Sequence, residues 1–453
     1  MIAHESASAL GIFRLLFGVV LLMQIINFVS VDFISKDLVK PVLHFKWYFF
    51  SYVEPLPKAG LELLLFVLAA AAVLIALGRF YRIAVAIWFV GFTYLWLLDK
   101  GFFNNHYYLM SILCAMMFFL PADRWNLFRK NAPRVSIPRW YVLAIKVQLF
   151  IVFFWAAINK MQAGWLVNHQ PIAFILDYKA QFTGDASWDS GLLENGMVWG
   201  GLFFDLLVIP ALWWRPTRWF AVAGMVVFNG FNYYIFHDVG EIGIFPWLLL
   251  ATVILFFPAD SGEWIRARLG IARKKAQKKS ALRGKHKSPQ QPEAGTPLPR
   301  LAWVFTAFLA FQLIFPARHL LVPGHVDWTG EGQRFAWRMK IMYKDFEMHW
   351  YMVDQAGQGP RYEVNLGGIL TPKQYTALGY YPDLIPPMAR YLKEDARRRG
   401  LSDPIIQVDF KSGLNGWGQQ NLLDPTVDAA TLVAHPLRRA EWILPYEFGE
   451  PPP

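Results

Sequence analysis

Ionisable and amide side chains stand at the ends of apolar runs or inside them, where a bilayer makes polar groups costly. A histidine exchanges a proton near neutral pH, and a desolvated lysine can hold the neutral amine that acts as a base. These residue types predict proton-transfer chemistry, and their positions predict a site that opens on the outer half of a helical bundle. The candidates are Asn104, Asn105, His106, Tyr107, Lys160 and Asp205.

Each candidate also has a purely structural explanation. Lys160 ends an apolar run and could extend its amine to the membrane interface. His106 could cap or hydrogen-bond an interfacial helix, and Asn104 could be a turn residue. Asp205 needs a partner or a proton, although a structural hydrogen bond would satisfy it. The sequence leaves these alternatives open.

The elements that hold these residues must lie in a membrane. Of the 453 residues, 55% are hydrophobic and only 17% are charged, against roughly a quarter in soluble domains. The formal net charge of +11 comes from basic residues in loops, which indicates contact with lipid head groups and no nucleic-acid partner. Cys114 is the single cysteine, so no intrachain disulfide can form. Motifs for metal, nucleotide phosphates, dinucleotides or a serine nucleophile are absent, and no metal is expected.

Nine apolar runs approach the roughly 20 residues that cross the hydrocarbon core. Basic residues accumulate after the even-numbered runs, most densely in segment 273–300, where we expect a flexible cytoplasmic loop. The positive-inside rule then predicts a cytoplasmic N-terminus and a C-terminal part on the outer side. The aromatic stretch 44–52 suits an interfacial helix. The runs lie near 8–30, 60–78, 83–98, 106–120, 140–159, 196–214, 219–236, 242–258 and 301–321.

The last 131 residues have a different composition, charged and rich in proline. We therefore expect a transmembrane helical catalytic domain at 1–322 and an extracytoplasmic domain at 323–453. The predicted fold class is an α-helical polytopic membrane protein of about nine spans with a C-terminal mostly-β domain. An amphipathic helix is expected at 387–399. The strands are expected at 338–343, 348–353, 362–366 and 405–410.

Several motifs resemble those of the vitamin K-dependent gamma-glutamyl carboxylase family, of the type with a horizontally transferred transmembrane domain. Segment 103–109 (FNNHYYL) resembles the family's Asn-Asn-His-x-Tyr-Leu motif. Segment 148–160 (QLFIVFFWAAINK), followed by Trp165, is similar to the segment that bears the catalytic lysine. The similarity spans nearly the whole chain in the family's order. Further matching stretches are 241–247 (EIGIFPW), 328–332 (WTGEG), 334–340 (RFAWRMK) and 424–428 (DPTVD).

The resemblance implies a specific activity. Lys160 would be the base that deprotonates reduced vitamin K, a naphthohydroquinone that enters from the bilayer. Oxygenation to the epoxide would supply the strong base that removes a γ-proton from a glutamate of a protein or peptide substrate, and carbon dioxide would add there. His106 and Asn105 would join Lys160 as catalytic residues, and reduced vitamin K, O2 and CO2 would be consumed.

The same resemblance implies roles for further residues. Asn104, Tyr107, Trp165 and Asp205 would bind the cofactor, and Trp337, Met339 and Lys340 would line the substrate side. One departure is Tyr233, which stands where the family often has a histidine shortly before the Ile-Gly motif.

Two other functions stay open at this stage. A quinol epoxidase without glutamate carboxylation would keep the Lys160 and His106 chemistry but have a different substrate groove. A membrane transporter or scaffold would tolerate loss of Lys160 and consume no quinol. The paired Gly or Pro interruptions of many transporters are not evident in this sequence.

Overall fold

The computed structural model describes residues 3–129, 135–236, 243–271, 299–354 and 357–448. Each of the nine apolar runs is helical in these ranges, because an uninterrupted apolar segment in lipid must satisfy its backbone hydrogen bonds internally. Between residues 8 and 314 we number the helices in chain order. They are α1 Ser8–Ser30, α2 Lys58–Leu77, α3 Tyr81–Leu97, α4 Asn105–Phe119, α5 Trp140–Lys160, α6 Ala163–Leu166, α7 Ile172–Thr183, α8 Gly191–Trp213, α9 Arg218–Phe236, α10 Phe245–Thr252, α11 Ser261–Arg268 and α12 Arg300–Ile314.

The prediction of nine spans is not confirmed. Within the described ranges five helices are long and apolar enough to cross a membrane: α1, α2, α5, α8, and α12 with the turn that extends it to Leu321. A sixth span results if α10 and α11 are taken together, but they meet at a bend of 101°. Helices α3 and α4 have 17 and 15 residues, short of the roughly 20 that a straight span needs.

Arg14 interrupts the first apolar run for a structural reason. It is buried, and its Nη1 donates to the Ile75 and Ala76 carbonyls at 2.6 Å each, while Nε donates to the Ala122 carbonyl at 3.1 Å. The last carbonyls of a helix lack intrahelical partners and carry partial negative charge. Helix α2 ends at Leu77, and Gly78 after it has φ +66°, a left-handed cap beside which the last carbonyls of the helix meet Arg14.

The C-terminal part contains a sheet, as expected, but it also contains helices, so a mostly-β domain is not confirmed. Its sheet is antiparallel in the order β4-β3-β5-β6, and β3 pairs with β5 along all ten residues. Two helices pack with the sheet around a core that includes Trp350, Val408 and Leu392. The elements are α13 Val326–Thr329, β3 Lys344–Val353, β4 Arg361–Glu363, α14 Pro372–Tyr380, α15 Ile385–Arg398, β5 Ile405–Leu414 and β6 Gln420–Asn421. A separate two-stranded antiparallel sheet pairs β1 His4–Ser6 with β2 Ser136–Pro138.

Individual predictions for this part had mixed outcomes. The amphipathic helix and the strands at 348–353 and 405–410 are present with small shifts. No strand forms at 338–343, because Trp337 and Lys340 have φ of +57° and +52°, which breaks an extended backbone. The aromatic stretch 44–52 forms only the single 3-10 turn Tyr48–Phe50 and not an interfacial helix.

A buried carboxylate docks the C-terminal part on the helical bundle. Asp99 is fully buried and accepts hydrogen bonds from the backbone N–H of Phe45 at 3.2 Å and of Gly101 at 2.7 Å, and from Nε2 of Gln374 in α14 at 2.8 Å. These bonds fix the turn that leads into α4, where the Asn-Asn-His motif begins. The division after residue 322 stays a prediction.

Candidate active site

A cavity of about 1000 Å³ lies where α4, α5, α8, α9 and α10 meet residues 333–340. Its wall combines aromatic side chains with a cluster of polar ones. Most of the residues predicted from the sequence contribute to the lining, although they come from four separate parts of the chain. They are Asn104, Asn105, His106, Lys160, Trp165, Asp205, Met339 and Lys340.

Lys160 is buried within the protein, and its amine is paired there. It is the last residue of α5, is 6% exposed, and forms an ion pair through Nζ with the Asp205 carboxylate of α8, which is 5% exposed. The amine also lies 5.2 Å from the centroid of the Trp165 ring. The indole of Trp165 is fixed in turn, because Nε1 donates to the Val198 carbonyl at 3.0 Å. Asp205 thus contacts the predicted base directly, a partnership that the sequence did not predict.

The Asn-Asn-His motif begins α4. Asn104 is the N-cap residue, and its Oδ1 accepts a hydrogen bond from the backbone N–H of His106 at 3.2 Å. Asn105 donates through Nδ2 to the Arg338 carbonyl at 3.0 Å. Its Oδ1 is buried and has no hydrogen-bond partner among the described residues. Because Asn105 lines the cavity, this oxygen can accept a hydrogen bond from a ligand there.

The glycine of the Ile-Gly motif lies against the His106 ring. Gly243 has φ +61°, and a Cβ there would stand 2.9 Å from Cε1 and 3.1 Å from Nε2 of His106. Only glycine satisfies both the backbone angle and the close approach. Gly243 therefore lets the buried imidazole, which meets Tyr107 edge-on at 4.6 Å, occupy its place in the wall.

A buried ionic network ties the C-terminal part to the end of α5. The Arg338 guanidinium donates to both oxygens of Asp327 at 2.8 Å, and its Nη1 donates to Oδ1 of Asn159 at 3.1 Å. Nδ2 of Asn159 donates to the Ala336 carbonyl at 2.8 Å. Asn159 directly precedes Lys160, so the network fixes the backbone that carries the amine. Sequence reasoning missed all three side chains of this network, although Asn159 and Arg338 lie inside the matching motifs.

A second ionic cluster borders the cavity on the same side. Asp383 accepts from Lys100 Nζ and from Arg334 Nη1, both at 2.9 Å. Burial alone would raise the pKa of the Asp383 carboxyl, but the two cations outweigh it and hold that pKa below its ordinary value. Arg334 and Tyr381 line the cavity.

Two predicted residues stand behind the cavity wall. Tyr107 meets the rings of Phe28 and Phe92 edge-on, with centroids at 5.7 and 5.4 Å. Trp337 is fully buried and stacks on Tyr108 at 5.2 Å. Their roles in cofactor and substrate binding stay predictions, and from these positions they would act by shaping the wall.

Three polar residues that follow the seventh apolar run, His237, Asp238 and Glu241, fall outside the described residues, and so does the basic segment up to residue 298. Asn229 and Asn232 of α9 are described and line the cavity. In the part of the chain that is described, no three His, Cys, Asp or Glu residues come together as a metal site would require.

Comparison with known families agrees with this architecture. Residues 3–261, more than half of the chain, match the family model described as HTTM domain. Residues 299–448 match the model described as vitamin K-dependent gamma-carboxylase, lumenal domain. No solved structure gives a significant match. The fold and the two matches define an HTTM-domain membrane protein with a C-terminal lumenal-type domain. The chain belongs to the vitamin K-dependent gamma-carboxylase family.

Proposed function

We propose that this chain is an enzyme that couples oxygenation of reduced vitamin K, to its epoxide, with carboxylation of glutamate side chains to gamma-carboxyglutamate. One observation carries the proposal: the Lys160–Asp205 pair shares a cavity with His106 and Asn105. The cavity meets apolar helices on one side and residues 333–340 of the C-terminal part on the other. A lipid-soluble cofactor and a peptide could therefore reach the same space from different directions.

The lining fits a naphthohydroquinone. A volume of about 1000 Å³ accommodates a fused two-ring system with part of an apolar side chain. Aromatic side chains supply flat apolar contact, and Oδ1 of Asn105, which has no partner in the part of the chain that is described, can accept a hydrogen bond from a ring hydroxyl. When bound, reduced vitamin K supplies with O2 the strong base that no amino-acid side chain can provide. The aromatic residues of the lining are Phe103, Phe153, Trp165, Phe204, Phe228, Phe231, Phe245 and Tyr381.

The partnership with Asp205 gives Lys160 a way to act as a base. A protonated amine cannot accept a proton, and a carboxylate in contact with it stabilises the charged form when water is present. Once the cavity is filled and dry, two separate charges become costly, and the shared proton can rest on the Asp205 carboxyl. Lys160 is then neutral and can take a proton from a ring hydroxyl. Trp165, Phe153 and Phe204 line the cavity together with the pair, and with a ligand bound they would limit its contact with water.

His106 and Asn105 act on the same ligand by hydrogen bonding. Asn105 is oriented because its Nδ2 is held by the Arg338 carbonyl, which leaves Oδ1 for the ligand. The His106 ring is held between Tyr107 and Gly243 and lines the cavity. We infer that it orients the cofactor or assists the step in which carbon dioxide adds.

The test uses the purified chain in nanodiscs with reduced vitamin K, O2, bicarbonate and a glutamate-containing peptide. Vitamin K epoxide and incorporated carbon dioxide are measured together for the wild type, Lys160→Met and Lys146→Met. Lys146 belongs to the same helix α5 but lies outside the cavity lining, so it controls for loss of a lysine from that helix. We expect both products from the wild type and from Lys146→Met. Lys160→Met should form at least 100-fold less epoxide, as expected when a catalytic base is removed.

The other outcomes point to the alternative functions. Epoxide without incorporated carbon dioxide, across a panel of glutamate peptides, would favour a quinol epoxidase. Neither product from folded wild-type protein would refute the enzymatic proposal for these substrates and favour a transporter or scaffold.

We also propose that the N-terminus is cytoplasmic and that the C-terminal part lies on the extracytoplasmic side. Cys114 is the single cysteine and is buried, so introduced cysteines can be labelled selectively. In intact cells a membrane-impermeant maleimide should label Glu394→Cys, an exposed position of α15, and spare Arg79→Cys, an exposed position after α2. The reverse pattern would overturn this orientation.

A further inference from the structure

We propose that Arg334 binds the γ-carboxylate of the substrate glutamate, an inference that rests on the carboxylase function proposed above. Arg334 is not among the substrate residues predicted from the sequence. The assignment comes from the residues that surround it. Three features carry it: unbalanced charge, an unused pair of N–H donors, and a position in the wall of the cavity that holds Lys160.

The charge in the second ionic cluster does not balance. Lys100 and Arg334 each lie 2.9 Å from the same carboxylate, Asp383, so two positive charges share one negative charge. Among the described residues no other carboxylate lies within ion-pair distance of either cation. The Arg334 side chain is only 11% exposed, and an uncompensated charge in such a place is costly. An anionic ligand would remove that cost.

The donors that remain on Arg334 have the geometry a carboxylate needs. Nη1 is engaged by Asp383, whereas Nε and Nη2 are buried without a hydrogen-bond partner in the described part of the chain. Nε–H and Nη2–H point in parallel from one edge of the guanidinium, which is the edge that binds a carboxylate through two hydrogen bonds. The Tyr381 ring, 4.3 Å from the guanidinium carbon, holds that plane in place.

The position of Arg334 is consistent with substrate contact. Arg334, Met339 and Lys340 line the cavity together, next to Gln333, whose Oε1 is also buried and has no hydrogen-bond partner in the described ranges. The Arg334 carbonyl accepts a hydrogen bond from Arg318, so the backbone is tied as well. A glutamate held here would present its γ-carbon to the interior that also contains Lys160 and His106.

Carboxylation itself explains why an arginine is useful at this point. The γ C–H bond breaks, its proton goes to the base generated by oxygenation of reduced vitamin K, and the electron pair stays on the γ-carbon. Negative charge then spreads onto the adjacent carboxylate, where two N–H donors of Arg334 stabilise it. The carbon electron pair forms a new bond to carbon dioxide, and the product carries two carboxylates. Arg334 therefore assists both binding and the charge that develops.

A binding experiment tests the assignment without relying on turnover. The probes are a short peptide with blocked termini and a single glutamate, and its twin with glutamine in that place. Affinities are measured for the full chain in nanodiscs as wild type, Arg334→Gln, Arg334→Lys and the control Lys373→Gln, a surface lysine that pairs with Asp37. Wild type and control should prefer the glutamate peptide by about 10- to 100-fold, as hydrogen bonds to a charged group allow. Arg334→Gln should lose the preference, and Arg334→Lys should keep part of it.

Kinetics and folding complete the test. In Arg334→Gln the KM for the glutamate peptide should rise and kcat for carbon dioxide incorporation should fall. Arg334→Lys keeps the positive charge beside Asp383 and therefore controls for loss of activity by misfolding. Equal affinities for the two peptides in the wild type, or an unchanged preference in Arg334→Gln, would overturn the assignment. If the wild type forms neither epoxide nor carboxylated product, the proposed function fails. The difference in affinity between the glutamate and glutamine peptides still shows whether Arg334 binds the carboxylate.

Discussion

Replacing Arg338 by methionine should destabilise the chain strongly. The Arg338 and Asp327 side chains are 3% and 0% exposed, and the arginine supplies the charge that balances the carboxylate. Among the described residues, its loss leaves the buried Asp327 carboxylate with only the 3.3 Å hydrogen bond from Gln162. Breaking such a pair from one side costs about 3–5 kcal/mol. The free energy of unfolding can be followed by denaturation in nanodiscs with tryptophan fluorescence.

A double-mutant cycle separates the pair from general damage. Arg338→Met combined with Asp327→Leu should cost less than the two single changes added together, with a coupling energy of about 2–3 kcal/mol. The matched control is Arg399→Met, because Arg399 forms an exposed ion pair with Asp395 one helical turn away, worth at most about 0.5 kcal/mol. Additive costs, or a loss in Arg338→Met no larger than that of the control, would refute the reasoning.

Arg338→Met should also lower the rate of the reaction. Arg338 donates to Asn159, the neighbour of Lys160, so its loss frees the end of α5 that carries the amine. Misplacing a reacting group by about 1 Å can cost roughly 100-fold in rate. Epoxide formation should therefore fall in Arg338→Met even where the protein remains folded.

Three further predictions concern single positions. Burial lowers the pKa of Lys344 from 10.5 to about 7. Between these two pH values the unfolded chain binds more protons than the folded chain, so the free energy of unfolding should rise with pH from about 7 to 10. Lys344→Met should abolish this slope. Gly243→Ala should displace the His106 ring and reduce product formation by roughly 10- to 100-fold, whereas unchanged kcat would contradict the close approach. Arg14→Leu removes the hydrogen bonds that Arg14 donates to the Ile75, Ala76 and Ala122 carbonyls and should lower the thermal midpoint in nanodiscs by several degrees, since a buried carbonyl left without a partner costs about 1–3 kcal/mol.

Most residues of the candidate site could be proposed from the sequence because their signals are local. A polar group beside an apolar run is conspicuous wherever it lies, and Asn104, Asn105, His106 and Lys160 all stand at such borders. The helical nature of the nine runs was predictable for the same reason. The number of spans was not, because helix length and the 101° bend after α10 depend on how the helices pack and where they turn.

The partners of these residues required the tertiary structure. Lys160 and Asp205 are 45 residues apart, and Asn159 and Arg338 are 179 apart. The predicted strand at 338–343 failed for a related reason, since the backbone there turns through positive φ to bring Arg338 to Asp327 and Asn159. The sequence determined which groups are costly in a membrane, because that cost depends on residue type and surrounding hydropathy. Only the fold decided which charge meets which, because Coulomb energy and hydrogen bonding depend on distances of a few ångströms between segments that are remote along the chain.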